Sequence, residues 1–86
     1  MSFKIVYSKS ALKEIKSLPA IYAKKIIEKS EQLSENPRPS GCKKLVGSKE
    51  ELWRIRVGDY RILYTIEDQI KIVDIRSVGN RKDVYK

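Results

Sequence analysis

The stretch LWRIRVGDYRILY, residues 52–64, decides the fold, because apolar and polar side chains alternate on both sides of a glycine. Alternation with a period of two is typical of a strand with one buried face. Gly58 and Asp59 interrupt the alternation, and glycine at the first central position is typical of a two-residue type II′ turn. The stretch therefore predicts a β-hairpin in which Arg56 lies directly opposite Arg61.

The two faces of this hairpin differ in chemistry. A second two-residue turn, at Asp68-Gln69, would add a third strand and place Arg76 opposite Arg61. Arginines facing one another in a sheet repel, so either water solvates them or an anion binds between them. Arginine in preference to lysine favours the anion, because a guanidinium forms two parallel hydrogen bonds to phosphate. The predicted core face comprises Trp53, Ile55, Val57, Tyr60, Ile62, Tyr64, Val73 and Ile75, and the basic face comprises Arg54, Arg56, Arg61 and Arg76.

Upstream of the hairpin, the pattern predicts one strand and two helices. The strand covers residues 3–7, and Ser8 or Ser10 caps a first helix that ends near Leu18. A second helix runs from Pro19 to the stop at residues 36–37. A basic loop with an irregular strand near residues 44–46 leads to the hairpin, and the last strand covers residues 70–77. The predicted fold class is α+β, in the order β-α-α-β-β-β, with an antiparallel sheet packed against two N-terminal helices. Residues 1–86 are predicted to form a single domain.

The amino-acid composition excludes several classes of functional site and favours one class of partner. Lys and Arg number 19 against 11 Asp and Glu, a net charge of +8, which favours a polyanionic partner. The chain has no His and one Cys, Cys42, which excludes histidine-based metal sites, the Ser-His-Asp triad and four-cysteine zinc sites. We therefore expect no metal and no cofactor. Without a signal-like segment or an apolar run of roughly 20 residues, we expect a cytoplasmic protein and no membrane partner.

Three pieces of the sequence resemble a known family. They are the basic strand with its GDYR turn at residues 58–61, the ending IRSVGNRKDVY at residues 75–85, and the opening helix with ALKE at residues 11–14. In this order they resemble the RelE/ParE superfamily of toxins. The resemblance covers the whole chain and implies a RelE-like fold and the toxin of a toxin–antitoxin pair.

For RelE-type members, the resemblance implies a ribosome-dependent endoribonuclease. Such toxins enter the ribosomal A site and cleave mRNA without a metal, using the RNA 2′-hydroxyl as the nucleophile. The implied partners are the ribosome, mRNA and a RelB-like antitoxin, with operator DNA bound only by the toxin–antitoxin complex. Two alternatives stay open: a ParE-like toxin that poisons DNA gyrase, and a catalytically weak relative that only binds nucleic acid.

The resemblance also implies catalytic residues. Fixed guanidinium groups stabilise the charge that builds on phosphate oxygens, a role that suits Arg61 and Arg54, with Arg81 near the leaving oxygen. The implied catalytic set is Arg54, Arg56, Arg61, Arg81 and Tyr85. Further candidates for binding RNA or the ribosome are Lys43, Lys44, Lys49, Arg76, Asn80 and Lys82, although the loop lysines also serve solubility.

Proton transfer is the open question in this set. Arg56 stands where the family has a general base, and arginine does not lose its proton in proteins. Many relatives carry His where this chain has Asn80. Either catalysis relies on orientation and electrostatics, or Lys82, Asp83 or Tyr85 moves the proton.

Overall fold

A computed structural model describes residues 2–47 and 51–80 of the chain. Two helices pack on one face of a five-stranded sheet, which confirms the α+β class. In the described residues the strand order is β1-β5-β4-β3-β2. The elements are β1 (Lys4–Tyr7), α1 (Lys9–Lys16), α2 (Ala20–Gln32), β2 (Lys43–Lys44), β3 (Trp53–Val57), β4 (Tyr60–Glu67) and β5 (Ile72–Asn80).

The hairpin of β3 and β4 has the predicted register. Arg56 lies opposite Arg61, and Val57 lies opposite Tyr60 at the turn. Gly58 has a φ of 59°, a left-handed conformation that costs glycine little and that a type II′ turn requires at this position. The alternation of residues 52–64 was therefore sufficient to fix both the turn and the pairing.

The predicted register of the last strand is wrong. The connection spans residues 68–71, so Glu67 pairs with Ile72, and the two-residue turn at Asp68-Gln69 does not form. A β-bulge then shifts the pairing, so that Arg61 lies opposite Gly79. Arg76 falls in the bulge, because the extra residue of a bulge has no partner of its own on the neighbouring strand.

Strand β1 pairs with β5 in parallel, and the other strand pairs of the predicted antiparallel sheet are antiparallel. The chain between β1 and β5 contains both helices and strands β2–β4, and such a long connection allows a parallel pairing, which a short hairpin turn does not. Ser8 follows β1 and caps α1: its Oγ accepts a hydrogen bond from the Ala11 N–H at 3.1 Å. The same hydroxyl donates to the Arg76 carbonyl at 2.9 Å, which ties the start of α1 to the bulge.

The core lies between the helices and the sheet and contains the predicted apolar face of the hairpin. Tyr64 is fully buried, and its hydroxyl donates to the Pro37 carbonyl at 2.8 Å. Burial raises the pKa of Tyr64, so its phenol stays neutral as a donor. Trp53 is half-buried against this core. The buried cluster comprises Ala11, Ile15, Ile26, Leu33, Ile55, Ile62, Tyr64, Val73, Ile75 and Val78.

Across the described ranges, neither helix is long and apolar enough to cross a membrane.

Candidate nucleic-acid interface

Three arginines share the face of the sheet that the helices leave uncovered. Arg54 and Arg56 alternate with buried Ile55 on β3, and Arg61 lies opposite Arg56 on β4. Arg56 is exposed, whereas Arg54 and Arg61 are only 7% and 4% exposed. We call these three residues the arginine group; it places one solvent-facing cation above two that are almost buried.

Burial changes what these cations do. A guanidinium shielded from water acts through a lower local dielectric, so its charge reaches further than that of a solvated side chain. Buried charges are also held in place, and both Arg54 and Arg61 interact with other residues. Such fixed positive charge suits the stabilisation of developing negative charge, because it does not need to reorganise during a reaction.

Arg76 does not join the arginine group by the predicted pairing with Arg61. Its Nη1 lies 3.4 Å from Asp74 Oδ2, and the side chain lines a separate cleft together with Glu51, Glu67 and Asp74. Acidic neighbours partly neutralise this arginine. The bulge at Arg76 is the physical reason for its different surroundings.

The loop lysines divide into different environments. Lys43 lines a cleft that also contains Arg54 and Arg56, so it extends the basic surface of the arginine group. Lys44 instead donates to Glu51 Oε1 at 2.9 Å. That contact lowers the pKa of the Glu51 carboxyl, since the bonded ammonium favours its charged form.

The remaining predicted site residues lie at or beyond the end of β5. Asn80 is half-buried and pairs with Tyr60 next to the hairpin turn, near Arg61. Lys49, Arg81, Lys82, Asp83 and Tyr85 lie outside the described residues, and their roles remain predictions.

Two basic residues on neighbouring parts of the chain, Lys29 and Arg38, were not among the predicted site residues. Lys29 of α2 is half-buried and lines the same cleft as Lys43. Its position three residues after buried Ile26 and next to buried Ser30 was the available signal, because it turns the lysine toward the packed side of the helix.

Arg38 is the second residue that was not identified. Its Nη1 and Nη2 donate to the two carboxylate oxygens of Asp68 at 3.1 and 2.8 Å. The guanidinium also lies over the Trp53 ring, 5.2 Å from its centroid. This contact holds the pKa of the Asp68 carboxyl below its usual range, because the hydrogen bonds from Arg38 favour the charged form. Arg38 thereby fastens the basic loop to the sheet.

The comparison with protein families gives a match over nearly the whole chain. The family described as "ParE toxin of type II toxin-antitoxin system, parDE" matches residues 5–85. A curated relative from Methanocaldococcus jannaschii, named "Putative toxin RelE1", is 36% identical over 100% of this chain and 98% of its own length.

Solved structures with the same fold come from archaea and bacteria. The RelE–RelB complex from Pyrococcus horikoshii OT3 includes a chain that is 28% identical, with a TM-score of 0.82 over 96% of this chain and 99% of that one. The RelBE2 toxin–antitoxin complex from Mycobacterium tuberculosis gives 26% identity and a TM-score of 0.84, over 94% of this chain and 100% of that one.

Proposed function

This chain belongs to the RelE/ParE superfamily and is a RelE-like toxin of a type II toxin–antitoxin system, and on that premise we propose that it is a ribosome-dependent endoribonuclease. In this proposal it cleaves mRNA in the ribosomal A site and stops translation. The observation that supports cleavage is the arginine group, with exposed Arg56 opposite nearly buried Arg61. A purely protein-binding toxin has no evident need for three guanidinium groups on one sheet face.

The proposed reaction is an internal transesterification of RNA. The 2′-oxygen forms a bond to phosphorus, the bond from phosphorus to the 5′-oxygen breaks, and the products are a 2′,3′-cyclic phosphate and a 5′-hydroxyl. Negative charge builds on the phosphate oxygens in between. Arg56 contacts the phosphate from the solvent side, and Arg54 and Arg61 supply fixed positive charge beneath it.

Two protons have to move in this reaction: one leaves the 2′-hydroxyl and one reaches the departing 5′-oxygen. Arginine is a poor proton acceptor, so Arg56 orients and stabilises instead of acting as the base. We assign proton transfer to Lys82, Asp83 or Tyr85, and stabilisation of the leaving oxygen to Arg81. If each of Lys82, Asp83 and Tyr85 proves dispensable, orientation and electrostatics alone account for the rate.

Primer extension on ribosome-bound mRNA after induction of the toxin tests this proposal. We expect cuts inside codons positioned in the A site, together with an arrest of protein synthesis that precedes any arrest of DNA synthesis. Intact polysomal mRNA during growth arrest would refute the nuclease.

We propose a RelB-like antitoxin as the cognate partner, because the similar chains from P. horikoshii and M. tuberculosis were solved as complexes with antitoxins. In this proposal the antitoxin silences the toxin, and operator DNA is bound only by the complex. Co-expression with a candidate antitoxin should restore growth, and the two chains should co-purify. A toxin that remains lethal and elutes alone would exclude that candidate.

Gyrase poisoning is the second candidate, and the description of the matching family as a ParE toxin favours it. A supercoiling assay with purified gyrase separates the two functions. We expect no inhibition by this toxin, whereas accumulation of cleaved DNA with intact mRNA would replace the nuclease by the gyrase poison.

A further inference from the structure

A basic cleft of about 370 Å³ lies at one edge of the sheet. Strand β2 pairs only with Trp53 and Arg54 of β3 in the described part of the chain, so the rest of that β3 edge borders the cleft. None of the described lining residues is acidic. The lining comprises Lys29, Ser40, Gly41, Lys43, Arg54, Ile55 and Arg56.

The cations of this cleft come from separate elements. Lys29 belongs to α2, Lys43 to β2, and Arg54 and Arg56 to β3. Like charges brought together from different parts of the chain repel, and a bound anion removes that repulsion. Within residues 2–47 and 51–80, Lys29 and Lys43 form no ion pair, whereas Lys44 pairs with Glu51.

Gly41 has no side chain, so a ligand in the cleft can approach its main chain closely. The Cys42 N–H donates to the Pro39 carbonyl at 3.1 Å, which closes a turn with Gly41 at its third position. Gly41 has a φ of 93°, as a type II turn requires there. A Cβ built on Gly41 would meet nothing within 4 Å, so the space beside this glycine is open.

The turn is held in place from the preceding residues. Tyr64 Oη donates to the Pro37 carbonyl at 2.8 Å, and Arg38 is fastened to Asp68 and Trp53. Both anchors lie within a few residues of Gly41. The wall of the cleft is therefore supported by the core and by the sheet, which favours a formed binding site over a loose basic loop.

We propose that this cleft binds one phosphodiester of the RNA backbone next to the linkage that is cleaved. Lys29 and Lys43 are the ligands of this phosphodiester, and Arg56, a member of the arginine group, also lines the cleft. This inference rests on the proposed function for the identity of the polyanion. It adds Lys29, which belongs to α2 and not to the hairpin, to the RNA-binding surface.

The test measures binding without cleavage. The probe is a fluorescent single-stranded oligonucleotide with 2′-fluoro sugars, which keeps every phosphate and lacks the attacking hydroxyl. Anisotropy at a series of salt concentrations gives the dissociation constant and its salt dependence for the full-length chain. We expect Lys29→Gln to weaken binding about fivefold and to reduce the salt slope by about 0.7, the value for one phosphate contact on a single strand.

Lys25→Gln is the matched control, because Lys25 is an exposed lysine on the same helix and does not line the cleft. Its dissociation constant should stay close to that of the wild type, and Lys29→Arg should retain most of the wild-type affinity. If Lys29→Gln binds as tightly as Lys25→Gln, the proposal is wrong.

A chemical change in the probe locates the contact. One phosphodiester of the probe at a time is replaced by a neutral methylphosphonate. At the linkage that occupies the cleft, this change should weaken binding to the wild type. The same change should cause no further loss of affinity in Lys29→Gln, because the contact is already absent. If the losses of affinity from the methylphosphonate and from Lys29→Gln add at every linkage, the proposal is wrong. It is also wrong if Lys29→Gln weakens binding of an antitoxin but not of the oligonucleotide.

This experiment also separates the site from the function. Loss of affinity in Lys29→Gln with no cleavage by the wild type would retain the phosphate site and refute the nuclease. Cleavage by the wild type with equal affinities of Lys29→Gln and Lys25→Gln would refute only the phosphate site.

Discussion

Arg56 and Arg61 lie directly opposite each other across the β3–β4 hairpin, yet Arg56 is exposed and Arg61 is only 4% exposed. The pair thus presents one charge to solvent and keeps the other almost buried. Both side chains lie on the face without helices, so an anion that contacts Arg56 leaves the helical core undisturbed, and Arg61 acts on that anion from a nearly buried position.

Arg61→Met should lower single-turnover cleavage on programmed ribosomes by about 100-fold, as for the loss of one oxyanion donor. Methionine keeps much of the buried volume and removes the charge. Arg61→Lys should recover part of the rate, since a point charge replaces a bidentate fork. Rates are compared at equal ribosome occupancy and after thermal unfolding has established the folded fraction. Equal rates for Arg61→Met and the wild type would remove Arg61 from the mechanism.

Arg76→Ala tests the corrected register. Because Arg76 lies in the bulge beside Asp74 and away from the pairing of Arg56 with Arg61, we expect cleavage to change by less than about twofold. Arg56→Ala in the same single-turnover assay should cause a much larger loss. Similar losses in the two variants would return Arg76 to the RNA-binding surface.

Trp53→Ala should destabilise the fold by about 2–3 kcal/mol, below the roughly 3–5 kcal/mol typical of a fully buried tryptophan, because Trp53 is half-buried. Urea unfolding measures this free energy. Combining Trp53→Ala with Arg38→Ala should show a coupling of about 0.5–1 kcal/mol from the guanidinium over the ring. Unchanged stability with lost cleavage would assign Trp53 to RNA contact instead of packing.

Asp68→Asn should make the free energy of unfolding depend less on pH in the acid range. The pKa of Asp68 is lower in the folded chain, so its contribution is present above the ordinary aspartate pKa of about 3.9 and is lost as pH falls through the folded value. The wild type should therefore be more stable than Asp68→Asn near neutral pH, and the difference should vanish in strong acid. Urea unfolding over a pH series measures it; a constant difference would show that the Arg38 contact contributes nothing.

Gly58→Ala should destabilise the hairpin by about 1–2 kcal/mol, the cost of a left-handed conformation for an ordinary residue. A Cβ at Gly58 meets nothing within 4 Å, so the cost is one of backbone conformation and not of collision. Gly58→Asn should lose less, since asparagine tolerates this conformation better. Equal unfolding midpoints for Gly58→Ala and the wild type would mean that the turn has changed type.

The hairpin was predictable from sequence because its information is local. Alternation in residues 52–64 and a glycine at the turn specify both the pairing and the buried face. The signal for the bulge was present too, since buried Ile75 and Val78 are three positions apart where a regular strand would separate them by two. The spacing of Ile75 and Val78 therefore indicated the bulge, but the assumption of a two-residue turn at residues 68–69 led to a regular strand instead.

Other features depend on tertiary structure, which local sequence patterns do not specify. The parallel pairing of β1 with β5 joins distant parts of the chain. The environment of Lys29 depends on where residues 40–43 lie, and the residues before them contact Asp68 and Tyr64, which are distant in sequence. The position of Lys29 three residues after Ile26 turns it toward the packed side of α2, but the sequence does not show which residues it meets there.

The pairing of Lys4 with Ile72 has a consequence for the order in which the sheet forms. Strand β1 precedes both helices and hydrogen-bonds to β5, which follows the hairpin, so this pairing closes a loop of more than sixty residues. Contacts between residues so distant in sequence also form slowly, after the local β3–β4 hairpin. The edge of the sheet formed by β1 should therefore be completed late in folding, once the β3–β4 hairpin has paired with β5.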